Sequence, residues 1–329
     1  MSRYAVLGGG GVFAIHFVKY LLEQKDTEFV LSIGRNPPKS EAFTLGVGNG
    51  DPRYRYEQVH LVFEQSRLFE LFDQYKPEYV VNFAAQGYTV SWKSSFLWYE
   101  TNVVALAKIC EYLIGCNYLK KFLQVGTSEL YGPVNHPANE RSSINPTTPY
   151  AVSKFAFDMH LQVLWEAKNF PMNIIRPSNA YAPGQQLYRI LPKAVYYGLT
   201  GRKLPLEGGG VAKKSYMHAH DLARAIFMVL EKGRLGEVYN VGPDKPVTIH
   251  HLVELVAERL DLRFEDLVEL VPGRKGEDSQ YWLDSSKIKS ELDYKEAVSL
   301  EQGVEDMISW GRKYLNLLHD EPCTFTLRA

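Results

Sequence analysis

Tyr4-Ala5-Val6-Leu7-Gly8-Gly9-Gly10-Gly11-Val12-Phe13-Ala14 decides how the rest of the chain is read. Residues 4–7 are apolar and read as a buried strand, and residues 13–24 carry a helical pattern. Between them the glycines satisfy both G-x-x-G-x-x-A and G-x-G-x-x-A. A turn this tight needs residues without a Cβ, so that backbone N–H groups at Gly8, Gly10, Gly11, Val12 and Phe13 can approach a pyrophosphate. The following helix adds partial positive charge at its N-terminus. Ala14 is small enough for that helix to lie close to the strand. A strand–turn–helix of this kind points to a dinucleotide cofactor.

Downstream the alternation continues. Residues 29–33, 78–84, 121–125 and 172–175 read as strands, and 64–74, 97–113 and 151–167 as helices. Residues 238–241 supply one more candidate strand. The expected fold class is α/β, a Rossmann-type doubly wound parallel sheet with a smaller C-terminal substrate-binding lobe. After Pro177 the texture changes to short elements broken by Pro183-Gly184, Gly208-Gly209-Gly210 and Pro272-Gly273. Residues 1–177 are therefore expected to form the cofactor domain with the catalytic residues. Residues 178–329 are expected to form mainly the substrate lobe, with some segments returning to the first body.

Bulk properties narrow the function. The 329 residues carry 37 Lys plus Arg against 38 Asp plus Glu, a net charge of -1. That balance argues against a nucleic-acid or membrane-surface binder. No apolar run reaches the length of a membrane span. Cys110, Cys116 and Cys323 form no CxxC pair, and His250 and His251 point in different directions on a helix, so no metal site is expected. Reduced thiols and the lack of a charged leader give a cytoplasmic expectation.

The second strand ends Ser32-Ile33-Gly34-Arg35-Asn36. An NAD-selective site places an acidic residue there to bind the ribose 2′-hydroxyl. Gly34 leaves the position empty, and Arg35 is suited to a 2′-phosphate. The cofactor is thus NADP or NAD, with NADP favoured.

Tyr150-Ala151-Val152-Ser153-Lys154 puts a phenol and an ammonium one helical turn apart. The ammonium is expected to favour the phenolate and make Tyr150 a base for a sugar hydroxyl. Residues 121–125 run into Gly126-Thr127-Ser128-Glu129-Leu130-Tyr131-Gly132, at the carboxyl edge of the sheet where α/β ligands bind. If extended backbone continues there, Thr127 and Glu129 share one side. Thr127 would then hold the reacting hydroxyl, and Glu129 would be a second acid/base that a simple alcohol dehydrogenase does not need.

With both motifs in place, the chain resembles the extended short-chain dehydrogenases/reductases that modify nucleotide sugars, from the glycine loop to about residue 292. Within them it is most similar to nucleotide-sugar 4,6-dehydratases. Asn82-Phe83-Ala84-Ala85-Gln86, Thr127 to Gly132 and Ala212-Lys213-Lys214 resemble GDP-mannose 4,6-dehydratase. Arg176-Pro177-Ser178-Asn179-Ala180-Tyr181 and Gly276-Glu277-Asp278-Ser279-Gln280-Tyr281 resemble dTDP-glucose 4,6-dehydratases. The resemblance implies that Tyr150, Lys154, Thr127, Ser128 and Glu129 form the catalytic group. It implies Ala84, Ala85 and Lys154 at the cofactor. Gln86, Asn179, Arg189, Lys214, Glu207, Asn240 and Tyr281 are implied at the substrate, with Asn102 as support.

The chain departs from the family at several places. Ser128 replaces the aspartate that dTDP-glucose enzymes carry, His60 replaces an aspartate often near adenine, and Lys214 replaces a diphosphate arginine. Glu207 stands where an aromatic residue is usual, and a carboxylate there suits guanine. The implied partner is a nucleotide-diphosphate sugar, GDP-linked by that hint, and the implied assembly is a homodimer. A 4-ketoreductase, a 4-epimerase and a UDP-uronic acid decarboxylase are the alternatives.

Overall fold

The computed structural model describes residues 1–86, 94–273 and 280–324. Trp92 and the segment 276–279 lie outside the described residues, as do the side chains of Gln280 and Tyr281. The central sheet has seven parallel strands: β1 (Ser2–Leu7), β2 (Thr27–Gly34), β3 (Tyr54–Gln58), β4 (Tyr79–Asn82), β5 (Lys121–Val125), β6 (Met172–Pro177) and β7 (Val238–Val241). Their spatial order is β7-β6-β5-β4-β1-β2-β3, so the winding reverses between β1 and β4. A reversal of this kind opens a crevice at the carboxyl ends of the strands.

Period-two alternation builds both faces of the sheet. Tyr4 and Val6 of β1 pack with helices α1 (Val12–Glu23) and, later in the chain, Ala219–Lys232. Ala5 and Leu7 face α2 (Gln65–Tyr75), α3 (96–114) and α4 (Pro149–Lys168) on the other side. Two features differ from the sequence expectation. Strand β3 (Tyr-Arg-Tyr-Glu-Gln) carries too many polar residues to read as a buried strand, because it is a sheet edge paired only to β2. Helix α3 contains a π-helical stretch, Glu100–Ala105, whose buried Asn102 matters below.

A second core gathers helices α5 (Ile190–Leu199), α7 (Ile249–Arg259) and α8 (Leu300–Lys313). The intervening helix α6 (Ala219–Lys232) returns to α1, and β7 completes the main sheet beside β6. Lys121 locks that return: its buried Nζ donates to the carbonyls of Val229 and Gly233, both at 2.9 Å, capping α6.

Candidate active site

The glycine turn sits at the reversal between β1 and β4. Gly8 has φ +78°, and a Cβ there would lie 2.5 Å from the amide nitrogen of Ala84. That amide donates to Asn82 Oδ1 at 3.0 Å, and Asn82 Nδ2 donates to the buried Gln124 at 2.7 Å, which fixes the loop after β4. Any side chain at Gly9 would collide with the Ser32 hydroxyl. Gly11 caps α1 without a side-chain hydrogen bond, so the first-turn amides of Val12 and Phe13 have no side-chain partner from the cap. A cradle of bare backbone at a helix N-terminus fits the diphosphate of a dinucleotide. Ala84 lies against Gly8 at one side of it.

At the end of β2, Gly34 is buried, and a Cβ there would overlap the Tyr56 hydroxyl. That hydroxyl donates to the carbonyl of Asn36 at 2.6 Å. Tyr56 thus occupies the room an acidic side chain would need. Arg35 is exposed, and His60 lies near it; partial burial and the Arg35 charge both lower the pKa of His60. His60 Nδ1 accepts from the Val62 amide at 3.3 Å. A histidine therefore makes the local turn bond that an aspartate could make there.

Tyr150 stands in the first turn of α4, where Thr148 caps by accepting from the Ala151 amide at 3.1 Å and Pro149 follows. Burial raises the pKa of the phenol, and the Glu129 charge raises it further. Arg189 and a hydrogen bond with Thr127 pull the other way. Thr127, Glu129 and Arg189 thus all act on one phenol. Lys154 is buried, and its Nζ donates to the carbonyl of Val125 at 2.7 Å. Burial lowers its pKa to about 8, and Asp158 opposes the fall.

Two expectations are corrected here. Lys154 was expected to lower the pKa of Tyr150. In the structure burial and the Glu129 carboxylate outweigh any such effect, and the ammonium is directed to the end of β5. Extended backbone does not continue past Thr127 either. Thr127 is the N-cap of a 3-10 turn, Ser128–Tyr131, and accepts from the Glu129 amide at 3.2 Å. Glu129 therefore comes near Tyr150 through that turn rather than through strand periodicity. Ser128 is buried within it.

Asn102, in the π-helical stretch, ties the loop after β4 to α4. Its Oδ1 accepts from the Gln86 amide at 2.8 Å, and its Nδ2 donates to the Gln86 carbonyl at 2.8 Å and to Ser153 Oγ at 3.0 Å. Ser153 in turn donates to the Tyr150 carbonyl at 2.8 Å.

The remaining substrate candidates lie on lobe segments. Strand Lys213–Lys214 runs between Val247–Thr248 and Gln280–Tyr281, with Lys214 in register with Tyr281. Asn179 pairs with Tyr216, and Glu207 precedes the Gly208–Gly210 turn. Asn240 is a correction. It is fully buried, its Oδ1 accepts from Tyr131, and its Nδ2 donates to the Ala138 carbonyl, each at 2.9 Å. Both ends of the amide bond inside the protein and the side chain is fully buried, so it is not presented to a diphosphate. Sequence reasoning missed the buried partners of this group, Asp158 and Arg176. The available signal was the spacing of Tyr150, Lys154 and Asp158, which puts all three on one helix face.

Fold and site together define a nicotinamide-dependent enzyme of the extended short-chain type. The chain belongs to the NAD dependent epimerase/dehydratase family, whose model matches residues 4–242. It is 27% identical to the dTDP-glucose 4,6-dehydratase of Haemophilus influenzae, over 94% of this chain and 98% of that one. It is 29% identical to the mouse dTDP-D-glucose 4,6-dehydratase, over 95% and 89%. Among solved structures, a dTDP-glucose 4,6-dehydratase of Streptomyces venezuelae with NAD bound superposes with a TM-score of 0.88 at 28% identity, covering 96% of this chain and 99% of that one. A UDP-glucose 4-epimerase of Thermotoga maritima gives 0.85 at 25% identity, covering 95% and 99%. No group of three or more metal-ligating side chains, and no helix long and apolar enough to cross a membrane, occurs among the described residues.

Proposed function

We propose that the protein is a nucleotide-sugar 4,6-dehydratase, converting a nucleotide-linked hexose to its 4-keto-6-deoxy form. The observation that carries this reading is that the Glu129 charge acts on the Tyr150 phenol from a turn whose Glu129 amide donates to Thr127. Oxidation of one hydroxyl needs only the phenol and its helpers; the carboxylate serves a second proton transfer. When bound, the oxidised nicotinamide supplies a hydride acceptor and a positive charge beside the phenol. Thr127 holds the sugar 4-hydroxyl and Tyr150 takes its proton. The carbonyl created at C4 acidifies the C5 proton, which Glu129 removes. Glu129, protonated by that step, passes a proton to the C6 hydroxyl, which leaves as water; the hydride taken from C4 would return to C6, and C5 regains a proton from solvent. Lys154 holds the cofactor ribose. Gln86, Arg189, Asn179, Lys214 and Tyr281 orient the nucleotide sugar.

For the base, the relatives named above act on dTDP-glucose, whereas Glu207 is the residue that favours GDP. dTDP-glucose is therefore the first substrate to try and GDP-mannose the second. For the cofactor, the missing acid at Gly34, the blocking Tyr56 and the neighbouring Arg35 and His60 favour NADP. For assembly, the neighbouring helices α3 and α4 expose Phe96, Val104, Met159 and Val163, which supports pairing of two copies through these helices. Three free cysteines suit the cytoplasm.

The test is incubation of the pure protein with dTDP-, UDP- and GDP-hexoses without added cofactor, followed by mass spectrometry of the product. Loss of one water is expected. An unchanged sugar mass with inversion at C4 would make it an epimerase, loss of carbon dioxide from a uronic acid would make it a decarboxylase, and a product formed only with added reduced cofactor would make it a reductase.

A further inference from the structure

Behind the candidate active site runs a chain of buried polar groups. Asp158 lies one helical turn beyond Lys154 on α4, and its Oδ2 accepts from Arg176 Nε at 3.0 Å. Arg176, at the end of β6, donates from Nη1 to the Tyr131 hydroxyl at 3.0 Å. That hydroxyl donates to Asn240 Oδ1 at 2.9 Å, on β7. Asn240 closes the chain onto the segment beyond the Glu129 turn, through the Ala138 carbonyl and through its own amide, which donates to Glu140 at 2.7 Å. Asp158, Arg176, Tyr131 and Asn240 are all at most 5% exposed. Gly126, the first residue of the loop, lies against this ion pair: a Cβ there would sit 3.1 Å from Arg176 Cγ and 3.5 Å from Asp158 Oδ2.

The topology gives this chain a direction. Tyr150, Lys154 and Asp158 belong to α4. Glu129 and Tyr131 belong to the same 3-10 turn. A buried charge-assisted link between the turn and α4 is both strong and directional. Arg176 bonds both α4, through Asp158, and the turn, through Tyr131. Its planar fork reaches the Asp158 carboxylate with one nitrogen and the Tyr131 hydroxyl with another, a geometry a lysine cannot copy.

We propose that Tyr131 is a positioning residue for Glu129. Through Arg176 and Asp158 it sets the turn carrying Glu129 against the helix carrying Tyr150 and Lys154. The chain therefore governs proton removal from C5 more than oxidation at C4, whose groups Tyr150 and Thr127 meet directly. This inference rests on the proposed role of Glu129 as the C5 base.

The experiment uses the full-length enzyme with the nucleotide hexose it accepts and compares Tyr131→Phe, Arg176→Lys and Glu129→Gln. Two signals are followed in a single turnover: near-ultraviolet absorbance of reduced nicotinamide, and deuterium entering C5 from deuterium oxide. For Tyr131→Phe the absorbance rise is expected to stay within about twofold of wild type while C5 exchange slows about tenfold or more, with KM little changed. Arg176→Lys, which keeps the charge beside Asp158 but not the fork, is expected to show the same split and covers the case in which Tyr131→Phe fails to fold. Glu129→Gln is expected to abolish exchange. Equal slowing of both signals in the positioning variants, or no slowing, with Glu129→Gln still blocked, overturns the positioning role alone. Normal exchange in Glu129→Gln overturns the role of Glu129 as the base, and the positioning role with it.

Discussion

Replacing Asn102 tests how the site is held together. This side chain is buried and makes three hydrogen bonds, two to the Gln86 backbone and one to Ser153. Each is worth about 1 kcal/mol net, so Asn102→Ala should cost about 3 kcal/mol. At roughly 2–4 °C per kcal/mol for a large domain, the melting temperature should fall by about 6 °C or more. Asn102→Asp keeps the volume and the acceptor for the Gln86 amide. It turns a carboxylate oxygen toward the Gln86 carbonyl and Ser153, so it should be no more stable than the alanine variant. The Gln86 loop borders the proposed substrate site, so KM for the sugar nucleotide should rise in both variants. Thermal unfolding with and without substrate, together with steady-state kinetics, reads both effects. A melting temperature within about 1 °C of wild type for Asn102→Ala would refute the reasoning, because three buried bonds cannot be lost without cost.

Lys154 has a pKa of about 8 when folded, below the 10.5 of a free lysine. The unfolded chain therefore binds more protons between those values, and this residue's contribution to stability should rise with pH across that window. Cofactor affinity should move oppositely, weakening as pH passes about 8 in a titration of cofactor fluorescence, and Lys154→Met should remove the dependence. Gly34→Asp should not confer NAD selectivity, because the new side chain overlaps Tyr56; combining it with Tyr56→Ala should relieve the clash and shift binding toward NAD in a competition assay. Met159→Glu with Val163→Glu should give a monomer in sedimentation velocity if two copies pair through α3 and α4, and an unchanged sedimentation coefficient would remove that assembly.

The glycine turn, the sheet and the placement of Tyr150 and Lys154 were legible because each rests on a local rule: a turn that excludes Cβ, apolar runs between turns, and a one-turn spacing on a helix. Strand β3 was not, since an edge strand can stay polar. The position of Glu129 was inferred, but by a backbone that the structure replaces with a 3-10 turn, because Thr127 supplies a cap that periodicity does not register. Asn240 was read by family position as a substrate contact, yet its amide belongs to a buried network that joins residues up to 109 positions apart. Asp158 shares a helix face with Tyr150 and Lys154, a spacing the sequence shows, but its partner Arg176 leaves no such signature until the sheet brings β6 beside α4.

The functional reading depends on the Glu129 carboxylate acting on the same site as the Tyr150 phenol, whose pKa its charge raises. Running the wild-type reaction in deuterium oxide, with no cofactor added, and weighing the product tests it most directly. The expected product is a sugar that has lost one water and gained a single solvent deuteron at C5. A product that has lost water without solvent deuterium at C5, or a sugar nucleotide returned with its mass unchanged from every candidate substrate, would contradict it.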